Sequence, residues 1–136
     1  MLNISKYDIM LFLKNFEDLI YSLFRAISGF LFMQHGIQKL FGGLGGTQVE
    51  ILSLVGIAGL IEFICGILIL VGLFSSFAAF LSSGTMAVAY FLVHAPKGFW
   101  PILNKGELAA LYAFVFLYIA VKGDGKYSLK RLAQKS

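Results

Sequence analysis

Arg25-Ala-Ile-Ser-Gly-Phe-Leu-Phe-Met-Gln-His-Gly-Ile-Gln-Lys-Leu-Phe-Gly-Gly43 sets Arg25, His35 and Lys39 inside a segment otherwise apolar enough to cross a bilayer. A cation near the centre of a membrane helix costs about 2.5–3.5 kcal/mol, whereas each Leu, Ile or Phe returns only about 0.3–0.6 kcal/mol. Such residues turn toward a protein interior, so the stretch predicts a helix whose polar face meets a partner. Taking Arg25 as zero and about 100° per residue, Gly36 falls at about +20°, Gly29 at about +40°, Lys39 at about −40° and His35 at about −80°. Arg25 and Lys39 lie about 21 Å apart along the axis, so they mark two halves of one seam.

The rest of the chain has the same character. Of its 136 residues 59% are hydrophobic and 13% charged, and the mean hydropathy is +0.85. These values describe a membrane protein and not an ordinary soluble domain. The net charge of +4 gathers toward the termini, where it sets orientation. Membrane lipids are therefore the expected surroundings, and nucleic acid is not an expected partner. Cys65 is the single cysteine, which excludes an internal disulfide, a redox pair and a cysteine-only metal site. The first residues lack a signal-peptide pattern, and the mature chain is expected to begin at or near Met1.

The fold class expected is all-α: a four-helix transmembrane bundle with an N-terminal interfacial amphipathic helix. Residues 1–18 mix apolar and charged side chains too closely to span and form the interfacial segment. Four segments within 19–121 have about the length that a bilayer needs: Leu19 to Phe41, Ile51 to Leu73, Phe74 to His94 and Glu107 to Val121. The second and third meet in a tight hairpin at Gly72-Leu-Phe-Ser-Ser-Phe77. Residues 122–136 form a basic tail. Outside the spans seven Lys and Arg fall on the side of the termini, against Lys97 and Lys105 on the other. The positive-inside rule then puts both termini in the cytoplasm.

Three connections have readable chemistry. Gly42-Gly-Leu-Gly-Gly46 has no phosphate-loop lysine and is expected to be a flexible exit from the first span. Asn104-Lys-Gly-Glu107 fits a capping box, with Asn104 capping the fourth span and Glu107 reaching back. Gly123-Asp-Gly-Lys-Tyr-Ser-Leu129 reads as a helix stop and turn.

Glu62 lies in the middle of the second span, with Gly59 and Gly66 on its helical face as a small-residue packing strip. It is the expected counter-ion of Arg25. One reading makes that pair structural, fixing helix register. The other makes Arg25, His35, Lys39 and Glu62 the lining of a cavity for a polar-headed ligand or a proton route. His94 and Glu107 are secondary candidates, and Gly29, Gly36, Gly59 and Gly66 are packing residues. His35 and His94 without a spaced acid make a poor metal pattern, so no metal is expected. The residues assign no catalytic group.

Arg25, Gly29, His35-Gly36, Lys39-Leu40 and Gly42-Gly43, then Glu62, Gly66 and Gly72-Leu73, then Gly106-Glu107-Leu108 and Gly123 to Leu129 together resemble the DoxX family of small four-helix membrane proteins of bacteria and archaea. The likeness runs from Tyr21 to Leu129, and departs at Lys130, where an acidic residue is expected. The resemblance implies a protein of the cytoplasmic (inner) membrane. Relatives include membrane subunits of thiosulfate:quinone oxidoreductase, components associated with terminal oxidases and a membrane partner in oxidative-stress complexes. It thus implies a subunit of a respiratory or redox complex, with partner subunits, a bound quinone and no built-in cofactor. The alternatives are a non-enzymatic scaffold or lipid-binding protein, self-associating into a homo-oligomer through glycine-rich faces, and a small-molecule or proton transporter.

Overall fold

The computed structural model of the chain describes residues 6–135, with side chains from Ile9 onward. The first five residues of the expected interfacial segment, and Ser136 of the tail, lie outside it. Helix α1 (Lys6–Lys14) is followed by a break at Asn15 and Phe16, then α2 (Glu17–Phe41), α3 (Leu54–Val71) and α4 (Ser75–Ala89). Helix α4 continues through a wider turn at Tyr90–His94 and a tighter one at Ala95–Lys97. The short α5 (Pro101–Asn104), then α6 (Glu107–Lys122) and the short α7 (Leu129–Ala133) complete the order. There are no strands among the described residues. Among the described residues two helices are long and apolar enough to cross a membrane: Leu54–Val71, mean hydropathy 2.7, and Ser75–Lys97, mean hydropathy 1.6.

Helices α2 and α3 are joined by the glycines. A Cβ on Gly29 would stand 2.5 Å from Leu70 N, and one on Gly36 would stand 2.5 Å from Phe63 N. From the other side, a Cβ on Gly66 would meet Met33 N at 2.7 Å, and one on Gly59 would meet Lys39 Cβ at 2.9 Å. Only hydrogen fits at these crossings, so the two backbones approach closely. The antiparallel register sets Gly36 against Gly59 and Phe63, Gly29 against Gly66 and Leu70, and Arg25 against Gly72. All four glycines are taken up inside the chain, so self-association would have to use another face.

The chain reverses after α3 at Gly72, φ +74°. Gly72 N–H donates to Leu68 O and Ile69 O, and Leu73 N–H donates to Leu68 O, which closes the helix end. Across the hairpin, the Ser75 N–H at the start of α4 donates 2.8 Å to Asp124 Oδ1. Helix α6 packs on α4, where Ser83 Oγ donates to Ala113 O at 2.7 Å. It meets α2 through aromatic rings: the Phe32 ring centroid lies 4.5 Å from that of Phe116 and 5.7 Å from that of Tyr112.

The glycine loop after α2 folds back on its own helix. Gly42 caps the helix in the left-handed conformation, Val49 N–H donates to Lys39 O at 2.9 Å and Gln38 Nε2 donates to Leu44 O. Gly42 and Gly45 take positive φ, as does Leu44 between them, which turns the loop back. The distribution of side chains is inverted relative to a soluble fold. Arg25 and Glu62 are 2% and 1% exposed, while Phe77 and Phe114 are 71% and 72% exposed.

Candidate functional site

Two polar clusters occupy the α2–α3 seam. The first centres on Arg25, whose guanidinium donates from Nη1 to Ile69 O and, at 2.9 Å, to Leu70 O. These carbonyls belong to the last turn of α3, where the helix dipole also favours a cation. Nη2 donates 2.8 Å to Tyr127 O in the segment after α6. Arg25 therefore binds three pieces of chain together. Tyr21 adds to the same clasp, its hydroxyl donating 2.5 Å to Gly123 O. Gly123 to Leu129 is thus a docked strap and not only a helix stop.

The second cluster is one ion pair, Lys39 Nζ to Glu62 Oε1 at 2.5 Å. The Lys39 side chain is 29% exposed and the Glu62 side chain only 2%. Glu62 Oε2 is buried with no hydrogen-bond partner among the described residues. His35 is half-buried and close enough to interact electrostatically with Glu62. Its ring meets Tyr112 of α6 edge-on, at 6.4 Å and 84°.

The counter-ion expected for Arg25 has gone to Lys39 instead. Helical side chains lean toward their own N-terminus. On α2 this swings Arg25 away from Glu62 and toward the end of α3, and swings Lys39 back by a turn onto Glu62. The four seam residues accordingly split, with His35, Lys39 and Glu62 in one half and Arg25 in the other.

His94 stands apart from that group. Its Nδ1 lies 3.1 Å from Asn104 O, a contact that requires the proton on Nδ1, and its ring stacks on Tyr90 at 6.4 Å. Asn104 is 1% exposed, and its side chain accepts from Gly106 N–H and donates to Gly98 O. The expected capping box is therefore displaced: Asn104 folds the loop, the N-cap of α6 is Gly106 without a side-chain cap, and Glu107 is exposed. Among the described residues, no three of His, Cys, Asp and Glu group closely enough to hold a metal.

Asp124 and Tyr112 were not singled out from the sequence. Asp124 is marked there only by flanking glycines, and Tyr112 by sharing a helical face with Phe116 and Ile119, all three buried. Burial alone would raise the Asp124 carboxyl, but the Ser75 amide and Lys130 hold it below its ordinary value. Lys130 Nζ lies 3.1 Å from Asp124 Oδ2. The lysine found where an acid was expected thus pairs with the acid upstream.

Comparison with known proteins agrees with this chain-wide pattern. The DoxX family model matches residues 20–95, which span α2, α3 and α4. An uncharacterized protein of Haemophilus influenzae is 38% identical over 127 residues, covering 86% of this chain and 92% of the relative. No solved structure matches. The family match takes in both halves of the seam, Arg25 as well as His35, Lys39 and Glu62, and the chain belongs to the DoxX family.

Proposed function

We propose that this chain is a multi-pass protein of the cytoplasmic membrane of a bacterium or archaeon, with α2, α3, α4 and α6 as its four spans and both termini cytoplasmic. It serves as the membrane subunit of a respiratory or redox complex, and His35, Lys39 and Glu62 receive the polar head of a quinone-like amphiphile. The inverted distribution of side chains, charged groups inside and phenylalanines outside, supports the membrane placement. The lysines and arginine at the end holding Glu17 and Lys122 support the orientation.

The observation that carries the ligand reading is Glu62 Oε2. Among the described residues this buried carboxylate oxygen has no partner, which is costly, and the hydroxyl of a reduced, quinol-type head would satisfy it by donating to it. Lys39 holds the other oxygen in place and, being partly exposed, can itself donate to a ligand carbonyl. His35 and Tyr112 close the side toward α6. A quinone held there supplies two-electron, two-proton chemistry to a partner subunit, while these residues bind and orient its head.

Gentle extraction from native membranes, followed by mass spectrometry of co-purifying proteins and quinone, tests this. The reading expects a redox partner and a quinone with the wild type, and loss of the quinone from a Lys39→Met, Glu62→Gln double variant that still assembles. Recovery of the chain with ordinary lipid alone would favour the lipid-binding alternative.

A further inference from the structure

We propose that the groove between the first turns of α2, the last turn of α3 and α7 binds the phosphate headgroup of an anionic phospholipid. This rests on the membrane placement above and is independent of the quinone reading. The groove encloses about 600 Å³. Leu19 and Leu23 of α2, Leu70 at the end of α3, and Leu129 and Leu132 of α7 line it. Four of these leucines keep much of their surface uncovered: Leu19 43%, Leu23 53%, Leu129 46% and Leu132 66%.

Cations share the groove with this apolar wall. Lys126, Arg131 and Lys135 all line it. Lys126 is paired with Asp18 at 3.3 Å. Arg131 and Lys135 have no ion-pair partner among the described residues. Arg25 lines the groove too, is 2% exposed, and its Nε–H is buried without a hydrogen-bond partner among the described residues. Uncovered leucines beside unpaired cations match an amphiphile whose head is anionic, since arginine and lysine favour phosphate oxygens while an acyl chain covers the wall. Free phosphate would leave the leucines uncovered. A zwitterionic head would bring its own ammonium among the cations. The groove also sits at the terminal end of the bundle, where headgroups of the cytoplasmic leaflet lie in the proposed orientation.

Native mass spectrometry of the purified full-length chain, given equal amounts of phosphatidylglycerol and phosphatidylcholine with the same acyl chains, tests the site. The wild type is expected to retain phosphatidylglycerol preferentially, and an Arg131→Gln, Lys135→Gln variant to lose that preference by about tenfold. A Lys97→Gln, Lys105→Gln variant removes the same charge at the opposite end and is expected to behave as wild type. All four side chains are exposed, so both variants should fold, as elution volume and helical circular dichroism check. Equal retention of the two lipids by wild type, or unchanged preference in the Arg131/Lys135 variant, overturns the proposal. Displacement of phosphatidylglycerol by millimolar inorganic phosphate overturns it as well, making this a phosphate site. Neither variant touches Lys39 or Glu62, so failure here and failure of the quinone reading are separate results.

Discussion

Arg25 Nη2 donates to Tyr127 O at 2.8 Å, joining residues 102 positions apart and fastening the strap after α6 to the end of α3. The same guanidinium holds Ile69 O and Leu70 O, and beside it Lys130 N–H donates to Gly72 O at 3.3 Å. Lysine keeps the charge but offers a single ammonium in place of a planar fork. Arg25→Lys is therefore expected to cost about 3 kcal/mol, from lost charge-assisted hydrogen bonds and stranded carbonyls. Trypsin should then cut faster after Lys122 and Lys126. Unchanged cleavage would show that the remaining contacts, Tyr21 to Gly123 O, Ser75 to Asp124, Lys130 N–H to Gly72 O and Lys126 to Asp18, hold the strap without Arg25.

The glycine seam makes a sharper test. Gly29→Ala and Gly36→Ala each drive a Cβ against α3 backbone and are expected to cost about 1–3 kcal/mol, read as a lower unfolding midpoint in detergent. Gly84 sits in helix α4 with nothing within 4 Å of an added Cβ, so Gly84→Ala should be neutral or stabilise by about 0.5–1 kcal/mol. Equal effects at all three positions would remove the packing argument.

Much of this architecture is legible in the sequence because it depends on periodicity and punctuation. The long helices, the reversal at Gly72 and the shared face of Arg25, Gly29, Gly36 and Lys39 all follow from spacing, whereas the boundary expected between residues 18 and 19 falls two residues earlier, with Glu17 and Asp18 in the first turn of α2. The pairing of charges does not. Spacing locates Cα atoms, whereas Lys39 and Arg25 both lean toward the start of α2, which separates Arg25 from Glu62 and brings Lys39 to it. The Asp124 contact was invisible for a different reason. It links α4 to residues some fifty positions later, and only the folded hairpin brings Ser75 beside it.

Asp124 predicts an acid limb to stability. Its carboxyl is held below the ordinary 3.8 in the folded chain by Ser75 and Lys130, which outweigh burial. A depressed folded value contributes stability above the unfolded value, lost as pH falls through the folded one. The difference in melting temperature between wild type and Asp124→Asn should be constant above about pH 5 and shrink below about pH 4. A difference that persists unchanged at pH 2.5 would mean that ionisation of Asp124 contributes nothing.

Lys39 and Glu62 are unequal partners, and a double-mutant cycle should expose it. Lys39→Met leaves the Glu62 carboxylate buried without its cation, a loss expected to cost about 2–3 kcal/mol. Glu62→Gln leaves Lys39 a side chain that is 29% exposed and can turn its ammonium to water, so the cost should be smaller. With both charges gone nothing ionic is stranded, and Lys39→Met in the Glu62→Gln background should cost little more than Glu62→Gln alone. Melting temperatures of the four proteins in one detergent measure this. If Glu62→Gln proves costlier than Lys39→Met, the lysine is the dependent member, and Glu62 would then be held by its surroundings for a purpose other than satisfying its own charge. The predicted order instead makes Lys39 the group that permits a buried carboxylate with one oxygen free, which is the feature a ligand's polar head would engage.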